Sequence, residues 1–154
     1  MANFVFNNAK GRVGQFFINV ENNSPASCCL RLIALESSGV EAQSVLEDSL
    51  TFTEVIDGAT NEQTSNFTRK QILAAGITLA LDTANNWYDF DLDPDITWSA
   101  ATGNAVGALV LCYDASGSDA DGVLIPLLHV DFAVAPDGSD ITAVFNVEGI
   151  FRAS

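Results

Sequence analysis

Four aspartates at alternate positions, Asp89, Asp91, Asp93 and Asp95, are residues whose type and spacing could do chemistry. Hard cations such as calcium want clustered carboxylates. A strand, however, sets these side chains in a row along one face, and no glycine bends the chain to bring them together. A solvated strand face is therefore the reading favoured over a metal site. A second acidic group, Asp114, Asp119 and Asp121, lies in the Gly/Ser-rich stretch from Asp114 to Gly122. A loop can converge its ligands, but the regular EF-hand spacing and its terminal Glu are missing. That stretch reads as a flexible, exposed loop.

His129 and Asp131 stand two residues apart and face one side of a strand, as an acid–base pair would. A lone His beside a carboxylate is more often a structural hydrogen bond, and no nucleophile motif such as Gly-x-Ser-x-Gly accompanies it. With one His in the chain, a His-based metal triad needs contributions from several subunits. Gly103-Asn104-Ala105-Val106-Gly107 has neither the Lys of a P-loop nor the glycine spacing of a dinucleotide site. The expectation is a protein that is not an enzyme, with no metal or cofactor. Trp87, Trp98 and Tyr113 could form a stacking platform for sugars. Such rings near strand ends more often belong to a core or an interface, so a small carbohydrate-binding β module is kept as an alternative.

The elements that must position these residues are mostly strands. Ile77 to Leu81 and Trp87 to Leu92 form a hairpin turned at Asn85-Asn86, and in its second half Tyr88, Phe90 and Leu92 alternate with aspartates. Cys28 to Leu35, interrupted only by Arg31, and Ala105 to Tyr113 are near-continuous apolar runs of the kind found in mid-sheet. Leu124 to Val134 and Ile141 to Val147 are further strands, joined at Pro136-Asp137-Gly138-Ser139. Gly149 to Ser154 is a short tail. Gln15 to Val20, rich in Phe, Ile and Val, reads as a strand ended by Asn22 to Pro25. Asn66 to Leu73, which carries Arg69 and Lys70, is extended. Between Asp48 and Gly58 the spacing of Leu50, Val55 and Ile56 turns helical, with a capping box over Thr51 to Glu54, and predicts one short helix. The fold class expected is mainly β, a single-domain antiparallel β-sandwich or barrel-like fold with one short helix.

Hydrophobic residues make up 48% of the 154 and charged ones only 17%, so apolar material is left over for an interface once a core is filled. The net charge of −14 is uneven: residues 78–154 hold Arg152 alone against twelve acids. That field repels phosphate backbones and anionic lipid, which argues against nucleic acid or membrane as partner. Cys28, Cys29 and Cys112 cannot all pair within one chain, and buried reduced thiols are expected. Nothing near Met1 resembles a signal peptide, which suggests folding in a cytoplasm and leaves the sequon at Asn66-Phe67-Thr68 idle.

Several stretches also look familiar together. They are Asn7-Asn8-Ala9-Lys10-Gly11-Arg12-Val13, Trp98-Ser99-Ala100-Ala101-Thr102-Gly103-Asn104, Leu109-Val110-Leu111-Cys112-Tyr113-Asp114, Ile125-Pro126-Leu127, His129-Val130-Asp131-Phe132-Ala133-Val134, Pro136-Asp137-Gly138-Ser139-Asp140 and Gly149-Ile150-Phe151-Arg152-Ala153-Ser154. This set resembles small structural proteins of tailed bacteriophages, over nearly the whole chain and most densely after Trp98. Among those, the match in kind is to a capsid decoration (cement) protein. The resemblance implies a homotrimer on the outer capsid surface of a virion, bound to the major capsid protein and made in the bacterial host cytoplasm. It transfers no functional residues. A neck, tail or fibre-anchoring protein is the alternative of the same class.

Residues 1–12 read as an extended N-terminal arm, and 13–154 as the single β-rich domain. In the arm, Phe4, Val5 and Phe6 could add as a strand to a neighbouring shell subunit while Lys10 and Arg12 pair with acids there. Equally, this segment could be the first strand of the domain's own sheet.

Overall fold

The structure is a computed structural model and describes residues 2–93, 95–145 and 150–153. Its largest sheet grows from the apolar runs. Strands β2 (Cys29–Glu36) and β7 (Val106–Asp114) are buried along nearly their whole length, as strands covered on both faces must be. They pair antiparallel, with Leu32 opposite Leu111 and Ile33 opposite Val110. Strand β8 (Ile125–Val134) lies on the far side of β7 and sets His129 opposite Val110. Two short edges complete five strands: β1 (Phe4–Val5) beside β8, and β3 (Lys70–Ile72) beside β2.

The segment read as an arm is built into this sheet. Phe4 and Val5 pair with His129 and Leu128, Phe6 and Ala9 are fully buried, and the Phe6 N–H donates to the Leu127 carbonyl at 3.0 Å. Within 2–12, then, the chain is the first strand of its own sheet and a turn that leads into a helix. An apolar Phe-x-Phe pair next to an open strand edge has a nearer partner in its own molecule than in any other.

The strand expected over Gln15–Val20 is a helix, α1 (Val13–Glu21). Val13, Phe16, Phe17 and Val20 recur at the helical spacing i, i+3, i+4, i+7 and are the four buried positions; Gln15 and Asn19 join on the outside at 2.8 Å. Burying that stripe outweighs the β preference of Phe, Ile and Val. Phe16 reaches Tyr113 of β7, with ring centres 4.6 Å apart. Phe17 meets Phe90 of the second sheet edge-on at 5.5 Å. The helix is thus the filling between two layers.

That second sheet orders β10 (Phe151–Ala153), β5 (Trp87–Leu92) and β4 (Ile77–Asp82), all antiparallel. The predicted hairpin is present, with Asp82 opposite Trp87. Its turn is held by the Asp82 carboxylate, which accepts from the N–H groups of Ala84 and Asn85, while Asn86 takes a left-handed φ of 59°. A third sheet pairs β6 (Ile96–Trp98) with β9 (Ile141–Ala143). Of the strand expected over Ile141 to Val147, residues 146–147 lie outside the described residues, as do Gly149 and Ser154 of the tail.

Among the described residues three helices occur where one was expected. Besides α1 there are α2 (Gln43–Leu46) and α3 (Phe52–Val55), and a 3-10 turn spans Ala74–Gly76. The predicted helix near Thr51 to Glu54 is α3, but Thr51 makes no side-chain cap. Glu54 instead accepts from the Leu50 N–H at 2.7 Å. The chain is mainly β, with antiparallel sheets arranged as in a sandwich around one core cluster.

Candidate functional site

The acidic loop after β7 does wrap a positive charge, and the charge is the chain's own. Asp114 is fully buried at the end of β7; its carboxylate accepts from the N–H groups of Ser116, Gly117 and Asp119 and from Arg31 Nε at 3.3 Å. Burial opposes that charge, but the converging N–H groups and Arg31 outweigh it and hold the Asp114 pKa below the usual carboxylate range. Arg69 lies alongside. It reaches Glu62 Oε1 at 2.8 Å, Asp119 Oδ1 at 3.3 Å and Asp121 Oδ1 at 2.6 Å, with its guanidinium 5.0 Å from the Phe52 ring centre. The stretch is exposed over much of its length, as expected, but two guanidinium groups pin it. A signal was present: Arg31 interrupts an apolar strand, and a buried cation needs a buried anion.

His129 is fully buried and makes no hydrogen bond to Asp131; among the described residues neither ring nitrogen has a partner. Its ring stacks on Phe4 at 4.6 Å and 9°. Burial, opposed by Asp131, pushes its pKa down to about 4. The expected structural hydrogen bond is replaced by ring packing. Asp131 uses its own N–H to bind Asn3 Oδ1 at 2.8 Å. The Gly103 to Gly107 turn packs against its neighbours: a side-chain carbon at Gly103 would come within 2.6 Å of Ser65, and Gln63 Nε2 donates to the Asn104 carbonyl.

The three rings of the presumed platform do not share a surface. Trp98 is buried against Phe67, with its indole N–H on the Thr68 carbonyl at 2.9 Å, and Tyr113 is buried beside Phe16. Half-buried Trp87 carries the Arg152 guanidinium 3.8 Å from its ring centre. Of the five residues assigned to a partner interface, Phe4 and Val5 are half-buried in β1 and Phe6 belongs to the core. Lys10 and Arg12 remain exposed, Lys10 bonded to Asn7 and Arg12 lying 5.0 Å over Phe16.

The alternating aspartates are divided by the fold. Asp89 pairs with Arg152 Nε at 2.6 Å. Asp91, Asp93 and Asp95 stay together and have no ion-pair partner among the described residues. Burial, then repulsion from Asp93, Asp95 and Asp89, raises the Asp91 pKa. These acids are not the wet face of one strand, because β5 ends at Leu92 and β6 starts at Ile96. They separate two depressions. One, of about 590 Å³, includes Thr78, Asp91, Val144 and Phe145 in its lining. The other, of about 400 Å³, has Ile72, Leu73, Ala75, Gly76 and Ile96 in its lining. Asp93 and Asp95 border both. Leu73 and Val144 stand 52% and 73% exposed there, and Leu81 on edge strand β4 is 64% exposed.

Among the described residues no group of three or more His, Cys, Asp or Glu side chains is arranged to hold a metal ion, and no helix is long and apolar enough to cross a membrane. No protein family, curated protein or solved structure matches the chain.

Proposed function

We propose that this chain is a structural protein that works by docking on other protein surfaces, as a capsid decoration protein on the outside of a tailed-phage head. In that role it binds the major capsid protein as a homotrimer. The observation that carries the reading is large apolar side chains left in the open, Leu73, Leu81 and Val144, with Leu73 and Val144 beside aspartates that have no ion-pair partner among the described residues. Exposed apolar groups rimmed by charge are what a covering subunit buries.

Two further points support it. The polar groups that could have done chemistry are spent on packing: Asp114, Asp119 and Asp121 on arginines, His129 on Phe4. The resemblance of the segments around Trp98, His129 and Pro136 to tailed-phage structural proteins supplies the setting. With Trp98 and Tyr113 buried, nothing favours the sugar-binding alternative.

The test is co-sedimentation of the purified protein with preformed shells that lack it. Binding at a fixed stoichiometry of three copies per site, with a higher shell disruption temperature, is expected. Absence from shells, or attachment only at the neck or tail of intact particles, overturns the decoration role.

A further inference from the structure

The 400 Å³ groove lies between strand edges. Among the described residues β3 ends the five-stranded sheet and pairs only with β2, and β6 pairs only with β9. Lys70, Gln71 and Ile72 of β3 and Ile96 and Thr97 of β6 all border the same depression. Unpaired strand edges present backbone N–H and C=O groups to whatever enters.

We propose that this groove takes an extended, basic segment of a partner protein, which adds as a strand along β3 or β6. The inference rests on the reading of the chain as a docking protein and names the place and the chemistry. The apolar side of the groove, Ile72, Leu73 and Ile96, suits alternate apolar side chains of such a segment. Its acidic border, Asp93 and Asp95 with Asp91 behind them, suits the lysines or arginines between. The repulsion from Asp93, Asp95 and Asp89 that adds to burial in raising the Asp91 pKa is relieved when a cation arrives. Lys70 also borders the groove and holds its ammonium 5.6 Å over the Trp98 ring, so the groove has charges of both signs with which to orient the segment. A second copy of this chain is a poor donor. Its basic island, Lys10-Gly11-Arg12, is wound into a turn in which the Lys10 N–H binds the Phe6 carbonyl and the Arg12 N–H the Ala9 carbonyl.

The experiment is an NMR titration of isotope-labelled protein with an end-blocked peptide of alternating Lys and Val, and with its Glu/Val counterpart. Amide shifts confined to 70–76, 93 and 95–97 are expected with the Lys peptide, weakened about tenfold by raising salt to ~0.5 M. The double variant Asp93→Asn/Asp95→Asn loses the preference for Lys over Glu. Leu73→Arg, at an exposed position outside the strands, loses binding while keeping the native spectrum elsewhere. No binding, equal binding of both peptides, or shifts centred on another surface overturns the proposal. The outcome is separable from that of shell co-sedimentation. Shell binding without peptide binding removes the groove and leaves the decoration role; peptide binding without shell binding does the reverse.

Discussion

Arg69 gathers three carboxylates, those of Glu62, Asp119 and Asp121, around one guanidinium. Arg69→Met removes the cation and leaves those carboxylates facing one another in a half-buried site. The expected loss is about 3 kcal/mol in urea unfolding, near the value for breaking a buried ion pair. His129 carries a pH signature of opposite origin. Its pKa of about 4 in the fold lies below the ordinary value of 6.5. Above pH 6.5 both folded and unfolded chains hold it neutral and its packing is fully effective. As pH falls from 6.5 towards 4 only the unfolded chain takes up the proton, so stability declines by at most about 3 kcal/mol and then levels off. His129→Leu should flatten that stretch of the stability–pH curve. An unchanged slope in the variant would show that another group titrates there. The carboxylate of Asp114 acts in a lower window: with its pKa depressed, its contribution is full above the ordinary carboxylate pKa and is lost as the pH falls from there through the lowered value.

At the level of elements, α1 is the piece on which the two main sheets depend, and Gly14 shows how close the fit is. A side-chain carbon there would sit 2.7 Å from the tip of the buried Phe90 ring. Gly14→Ala is expected to cost about 1–3 kcal/mol by overpacking, despite the better helix propensity of Ala. Phe6→Ala empties a fully buried position under β1 and should cost about 3–5 kcal/mol in the same denaturation assay. Charge reversal at exposed Lys10 should leave stability within about 0.5 kcal/mol. The long strands and the β4–β5 hairpin were legible because apolar runs and alternation with aspartate are strong local signals. Helix α1 was missed because Phe16-Phe17-Ile18 reads as β by residue type, and only the spacing from Val13 to Val20 betrays the helix. The fate of Phe4 to Phe6 was not legible at all: a two-residue strand carries no period, and its partner, Leu128-His129, is more than a hundred residues away. Likewise the aspartates at 89–95 were visible as a series, but their division by Arg152 and by the break between β5 and β6 is a tertiary fact.

For the whole molecule, a net charge of −14 on 154 residues means that compactness works against self-repulsion. Adding salt to about 0.3 M should raise the unfolding temperature by screening that repulsion, and calorimetry at fixed pH would measure it. A flat or falling response would mean that the Arg31 and Arg69 pairs, which salt weakens, dominate. The cysteines offer a second global readout. Cys28, Cys29 and Cys112 are all free and buried, spread over β7, β2 and the residue before β2. Burial, joined by the negative charges of Glu62, Asp121 and Asp119 and opposed by Arg69, raises the pKa of the Cys112 thiol, so it meets reagents only as an unreactive, hidden thiol. A maleimide or disulfide dye therefore has nothing to attack until the central strands part. Its rate of uptake becomes a clock for how often an unmodified molecule comes open, and a rate that slowed once the protein was seated on its partner would register the grip of that partner without any engineered label.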